Sequence, residues 1–237
     1  PQWRTVTGGA RTYVRRMVND LRLLSDQPAN VARTVPVTAV ESTTHGATLT
    51  LANGKRETYD AVIMACHADQ TRRLLINAPT SVNDLLGAFS YQPNRALLHS
   101  DQSLMPVNQR AWSSWNYLAH TGGDRTTAVA VTYWMNRLQR LPTQQPLFVS
   151  LNPPREPRSD LVAMTMDYEH PVFDSEAMRA QARLPRIQGA GNIWFAGRYH
   201  GYGFHEDALR SAVDVAHRFG IAPPWEQQPG VRLPRAA

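Results

Sequence analysis

The stretch from Asn192 to Phe219, NIWFAGRYHGYGFHEDALRSAVDVAHRF, constrains the fold more than any other, because a buried strand, a glycine-rich turn and an amphipathic helix follow one another without a break. Asn192 to Ala196 is a short apolar run bounded by Gly191 and Gly197, the pattern of a strand covered on both faces in a parallel sheet. After Gly201 and Gly203, apolar residues recur at Ala208, Leu209, Ala212, Val213, Ala216 and Phe219 with the period of a helix, and Gly220 followed by Pro223 and Pro224 stops it. The helix N-terminus then points back at the carboxyl end of the strand. Such a terminus carries unpaired N–H groups and the positive end of the helix dipole, so an electron-rich ligand edge can sit there. Glycine at 201 and 203 would let that ligand approach the backbone. An ordinary strand-to-helix connection in an α/β sheet has the same pattern, and the pattern alone does not separate the two.

Composition narrows the classes. With 42% hydrophobic and 19% charged residues over 237 positions, the chain can bury a core in one large or two small domains. No apolar run is long enough to span a bilayer and no signal pattern opens the sequence, so a soluble, cytoplasmic protein is expected. Cys66 is the single cysteine, which excludes an internal disulfide and a multi-cysteine metal site. The net charge of +6 would suit nucleic acid or an anionic lipid surface. The arginines are nonetheless scattered without a nucleic-acid motif, and nucleic acid is not expected as a partner. Lys55 is the only lysine, beside the Asn53-Gly54 turn.

The chain opens on Pro1, not methionine, and is expected to begin in mid-protein. Gly8-Gly9 leads into a helix with Tyr13, Val14, Met17, Val18, Leu21 and Leu24 on one face. From Val35 to Ala65 the period changes to two, giving strands PVTAVES, ATLTLAN and YDAVIMA divided at His45-Gly46 and Asn53-Gly54. The last, Ala61 to Ala65, is apolar throughout and reads as buried on both faces. Cys66-His67-Ala68-Asp69 then opens a short helix, and lacks the partners that a nucleophile or a metal would need.

Beyond Pro79 the composition shifts. Ser81 with Asp84 reads as a helix start, and strands follow at Arg95 to His99, Trp112 to Leu118, Thr127 to Trp134, Leu147 to Leu151 and Leu161 to Tyr168. This mostly antiparallel layer is rich in aromatics that serve either as core or as the lining of an apolar pocket. In the turn, His205, Glu206 and Asp207 are consecutive and cannot face one ion from a helix, so no metal is expected.

The segment FAGRYHGYGFHEDALRSAVDVA resembles the C-terminal flavin-binding signature of the FAD-dependent amine oxidoreductase family, in the glutathione-reductase-like superfamily. WRTVTGGARTYVRRMV, ACHADQTRRLL, SWNY, TYWMN and SLNPP resemble the same family, so the likeness runs from about Trp3 to Gly220. It implies a mixed α/β fold: part of an FAD-binding domain with an antiparallel meander, plus a mainly antiparallel substrate domain with helices. The implied domains are residues 1–79 (GG helix and meander), 80–188 (substrate domain), 189–222 (closing strand, turn and helix) and 223–237 (tail). The resemblance further implies FAD contacts from the backbone near Val37, from Gly197 and Arg198, and from Gly203, Phe204, His205 and Glu206. Trp115, Tyr117, Tyr133, Trp134 and Tyr202 are the implied substrate lining, and no catalytic residue is assigned.

Two departures stand out. Arg198 occupies a position where the family often has an acid, and the family's substrate-domain lysine is replaced by Asn94, so poor oxidase activity is expected. The strand–GxGxxG–helix fingerprint is absent: Gly189-Ala190-Gly191 precedes a strand, and Gly201-Tyr202-Gly203 has Glu206 in the third glycine position. The expected partner is therefore a separate N-terminal dinucleotide-binding segment, together with a small apolar substrate and a peripheral lipid contact. The reading is a piece of an FAD-dependent oxidoreductase that takes hydride from an apolar, lipid-like substrate or an amine. The alternative is a non-catalytic domain unable to hold FAD alone.

Overall fold

The computed structural model describes residues 4–23, 31–32, 34–121 and 127–226. In chain order its elements are α1 (Ala10–Leu23), β1 (Val37–Thr43), β2 (Gly46–Leu51), β3 (Arg56–Tyr59), β4 (Val62–Met64), α2 (Ala68–Leu74), β5 (Leu75–Ile76), α3 (Thr80–Gly87) and β6 (Tyr91–His99). There follow β7 (Trp115–Thr121), β8 (Thr127–Trp134), α4 (Met135–Gln139), β9 (Phe148–Leu151), β10 (Val162–Pro171), α5 (Ser175–Gln181), β11 (Ile193–Phe195) and α6 (His205–Arg218). These form a mixed α/β fold of two compact units, Pro1–Ala32 with Pro93–Glu169, and Arg33–Gln92 with His170–Ala237.

In the second unit the meander strands β3, β2 and β1 are antiparallel neighbours, and β1 also pairs in parallel with β5. Two details differ from the sequence reading. The first hairpin loop is Thr44-His45, with Gly46 already paired to Thr43, because a Cβ at 46 would strike the Tyr59 carbonyl of the neighbouring strand. The third strand is broken at Asp60: β3 completes the meander, whereas β4 leaves it to pair in parallel with β11. Ile63 at the centre of β4 is 51% exposed, so this strand is not buried on both faces as its apolar run predicts. The reason is that β4 and β11 form a two-stranded sheet, in which Val62 and Met64 turn toward the core cluster and Ile63 turns away.

That cluster gathers Val40, Met64, Leu85, Leu86, Phe89, Phe195 and Tyr199. Helix α3 contributes Val82, Leu85 and Leu86 to it, in the same cluster that holds Ala68 of α2. Residues 80–92 and 170–188 therefore belong with the meander and the closing helix, not with the antiparallel layer to which composition assigned them. Helix α3 begins at Thr80 behind Pro79, one residue before the expected Ser81 start, since proline's fixed φ already suits a helix entry.

The first unit is a five-stranded sheet in the order β10-β6-β9-β8-β7, antiparallel from β6 to β7. Strand β7 starts at Trp115 and not at Trp112, because Gln109–Ala111 form a 3₁₀ turn that drops Trp112 into a cluster with Met105 and Phe148. There the indole N–H donates to the Pro106 carbonyl at 2.7 Å. Helix α1 forms where expected, behind Gly8 and Gly9 at φ 82° and 76°. Its apolar residues Val14, Met17 and Leu21 are exposed, and Leu24 lies outside the described residues. Among the described residues no helix is long and apolar enough to cross a membrane.

Candidate functional site

Strand β11 runs beside β4 with Ile193 opposite Val62 and Phe195 opposite Met64, and the Ala196 N–H donates to the Met64 carbonyl at 3.0 Å. Both chains therefore leave the carboxyl end of the pair together, one as Cys66-His67 and the other as Gly197-Arg198. The carboxyl ends of parallel strands are where open α/β sheets bind ligands. Gly197 is needed there because a Cβ would come within 2.8 Å of the Tyr199 ring. Its N–H donates to the Ser211 hydroxyl of α6 at 2.9 Å, which ties the strand end to the helix. Arg198–His200 then make one 3₁₀ turn that carries Tyr199 inward, 2% exposed, against Phe89.

Two polar atoms in this turn are buried without a partner, the Tyr199 hydroxyl and His200 Nε2. Burial, then the nearby Tyr91 and Cys66, push the Tyr199 phenol far above its ordinary range, so it stays a neutral O–H. Burial alone lowers the His200 imidazole to about 4, so it is uncharged at neutral pH.

Asp207, which the sequence shows only as an acid in the first turn of the helix, organises the turn. It is 5% exposed, and Oδ2 accepts from the Tyr202 N–H at 3.0 Å and the Phe204 N–H at 2.9 Å. Oδ1 accepts from Arg210 at 2.7 Å. The glycines follow from this packing. A Cβ on Gly201 would overlap the Asp207 carboxylate, and one on Gly203, at φ 88°, would meet the Phe173 ring at 3.0 Å. The chain's own side chains thus account for both glycines, and Gly203 is required by its backbone conformation whether or not a ligand approaches. An acidic residue a few positions after a glycine pair was the available signal for this role.

The remaining surface of the turn is open. Arg198, Tyr202, Phe204, His205 and Glu206 are exposed, Tyr202 and Phe204 at 66% and 69%. The first N–H groups of α6, from His205 and Glu206, have no carbonyl one turn back to bond. His67 stacks on Tyr91 with ring centroids 4.5 Å apart and planes at 12°, and the Tyr91 hydroxyl accepts from the Ala68 N–H at 2.9 Å. Val37 lies elsewhere, half-buried at the start of β1 where a bulge shifts the ladder to β2. Among the described residues no group of three metal-binding side chains converges.

In the first unit the sheet separates the aromatics read as a pocket. Trp115 pairs with Tyr133, and Tyr117 lies two residues further along β7, so these three share a face. Leu98, Val149, Leu151 and Val131 fall on that face by the same register. Trp134 is adjacent to Tyr133 and so points to the other face, where it packs edge-on against Trp112 at 5.2 Å. It is a core residue. Tyr202 belongs to the other unit.

That second face also buries His99, whose Nε2 lies 2.8 Å from Ser150 Oγ, itself 2.7 Å from Thr132 Oγ1. The His99–Ser150 pair with Asp101 nearby has the composition of a catalytic triad, but its bonding is wrong. His99 Nδ1 accepts from the Asp101 N–H, so the proton sits on Nε2 and the imidazole donates to Ser150 instead of drawing its proton away. His99 and Ser150 are also fully buried.

Asn94, expected from the sequence to stand where the family has a lysine, is 7% exposed, and its carbonyl accepts from Asn152 Nδ2 at 2.7 Å. Lys55 is exposed and paired with Glu57 at 2.7 Å. Asn94→Lys should therefore bury a charge and lower stability by about 3 kcal/mol, read from urea unfolding. A variant as stable as the parent would show that position 94 opens to solvent.

The model of the flavin-containing amine oxidoreductase family matches residues 1–218. Among solved structures, a CLA-producing fatty acid isomerase from P. acnes is similar at 11% identity and TM-score 0.58, over 87% of this chain and 52% of that one. Wild-type putrescine oxidase bound to putrescine is similar at 14% identity and TM-score 0.58, over 90% and 53%. Reduced UDP-galactopyranose mutase follows at 12% identity and TM-score 0.51, over 78% and 46%. At these identities the likeness is one of fold. The chain spans about half the length of the structures it matches. No curated protein sequence matches it significantly.

Proposed function

Since the chain belongs to the flavin-containing amine oxidoreductase family, we propose that it works within an FAD-dependent oxidoreductase whose redox site is bounded by the turn from Gly197 to Glu206. The observation that carries this reading is the family match across the whole strand, turn and helix, at the carboxyl ends of a parallel strand pair. Bound flavin would supply a hydride acceptor, which no side chain of the chain can provide.

The residues present fit such a group. The open N–H groups at the start of α6 suit an electron-rich ring edge, and exposed Tyr202 and Phe204 offer apolar area beside them. The unpartnered Tyr199 hydroxyl and His200 Nε2 lie buried in the same turn. Ser211 and Asp207 fix the turn from behind, so that its outer surface is presented without rearrangement. The remaining FAD contacts would come from a dinucleotide-binding segment outside these residues, and from the backbone near Val37. The Trp115, Tyr117 and Tyr133 face would receive an apolar substrate, lipid-like or an amine.

The test is cofactor retention by the complete protein. It should purify with flavin absorbance bands that bleach anaerobically with substrate, while this chain alone should purify colourless. A complete protein that cannot be loaded with FAD would refute the reading.

A further inference from the structure

Three basic side chains converge beside the turn. His170 closes β10 just before Pro171, whose ring lies 3.9 Å from where a Cβ on Gly203 would stand, so this strand end abuts the turn. The Val172 N–H donates to the Ser90 carbonyl at 2.9 Å, which sets the same strand end next to Tyr91 and hence next to the His67 ring stacked on it. Arg198 arrives from the other side, since the Cys66 carbonyl before His67 lies 3.6 Å from the Cβ position of Gly197. His170 feels this: burial first, then the positive charges of Arg198 and His67, hold its imidazole below the ordinary value.

The acids nearby do not balance this cluster. Asp69 Oδ2 is bound to Arg73 at 2.8 Å, and its Oδ1 stands 3.9 Å from His67. Asp207 is held by Arg210 and two backbone amides. Glu169 alternates with His170 along β10 and points to the opposite face. Glu206 is exposed on the first turn of α6. Among the described residues Arg198 is in no ion pair or side-chain hydrogen bond. Like charges held together on one surface are stabilised by an anion between them, and a guanidinium fork flanked by imidazole donors matches the two oxygens of a carboxylate.

We propose that Arg198, His170 and His67 form a recognition site for the carboxylate of an apolar substrate, with Tyr202 and Phe204 beside its tail. This rests on the reading of the turn as the redox site and names the substrate class: an amphiphilic carboxylic acid in preference to an amine. An ammonium group at the same place would face the unpaired charge of Arg198, so the site selects by repulsion as well as by attraction.

The experiment is calorimetric titration of the complete protein with decanoate, decylamine and inorganic pyrophosphate, with flavin content read from each preparation's absorbance. Decanoate should bind and decylamine should not compete. Arg198→Gln should weaken decanoate binding to the flavin-loaded protein about tenfold, with binding normalised to each preparation's flavin content. Because the His170 imidazole is held below its ordinary value, binding should tighten as pH falls through and below that value and the ring gains its proton, and His170→Gln should abolish that gain. Equal binding of decylamine, or decanoate binding indifferent to Arg198→Gln, overturns the proposal. So does pyrophosphate displacing decanoate while Arg198→Gln empties the protein of flavin, since the cluster would then serve the cofactor's phosphates. Flavin absent from every preparation, the parent included, would instead count against the redox reading itself.

Discussion

Asp207→Ala should lower stability by about 4 kcal/mol, the largest effect expected of a single truncation in the turn, because two buried amides lose their acceptor and Arg210 loses its partner. In a chain of this size that corresponds to roughly a 10 °C fall in thermal midpoint, followed by far-UV circular dichroism. Asp207→Asn should be milder, since its carbonyl can still accept from Tyr202 and Phe204 and only the ion pair is lost. A second variant tests the geometry. Gly201→Ala drives a methyl into the Asp207 carboxylate, so it should be damaging in the parent and far less so beside Asp207→Ala. If the two substitutions simply add, the carboxylate does not fill the space that Gly201 leaves.

Acid should destabilise the chain first through His200. Burial holds its imidazole from the ordinary 6.5 down to about 4 in the folded protein. Above about pH 6.5 neither state carries the proton and the group has no effect. Below it the unfolded chain takes up the proton before the folded one, so stability falls until the folded value is reached, by about 3 kcal/mol in all. His99 and His170 are shifted in the same direction and add to the slope. Asp101 acts in a lower window. Its own burial would raise it, but hydrogen bonds from the Arg158 amide and from Ser103 outweigh that and hold it from 3.8 down to about 2. Its contribution is therefore complete above the ordinary value and is lost as pH falls toward the folded one. Urea unfolding at stepped pH reads the first window. His200→Phe, which keeps a ring against Tyr199, should flatten the midpoint between neutral pH and pH 4. An unchanged slope would mean that the buried imidazole is not the sensor.

Much of the frame is legible from periodicity alone. Strand β8 occupies the expected Thr127 to Trp134, β11 lies inside Asn192 to Ala196, and α6 runs within one residue of its expected end at Phe219. These elements declare themselves because one face of each meets a core, and burial imprints a period on the sequence. What the sequence hides is set by partners far along the chain. Nothing local says that YDAVIMA should split at Asp60 so that its second half can pair with Ile193–Phe195. Nor does anything local say that Asn94 is buried with its carbonyl held by Asn152, 58 positions away. The separation of Tyr133 from Trp134 was available, since neighbours in a strand must face opposite ways, and grouping them by residue type overlooked it. Asp207 was visible as an acid in a first helical turn, a position with a generic electrostatic explanation that conceals a specific one.

The unit that carries the turn is assembled from two stretches of chain, and this sets an order on its making. Met64 pairs with Phe195, and Asn192 reaches the Gly46 carbonyl across 146 positions, with Pro93–Glu169 of the other unit between them in the sequence. Such contacts close a long loop and form late, while the local pairings of β7 with β8 and β8 with β9 can form as soon as they are made. During synthesis the meander, α2 and α3 must therefore wait, with Met64, Leu85, Leu86 and Phe89 uncovered, until Ile193 and the residues after it have left the ribosome. A chain halted in that interval has a finished antiparallel sheet and an adhesive, unfinished second half, and the turn from Gly197 to Glu206 comes into being only when both stretches have met.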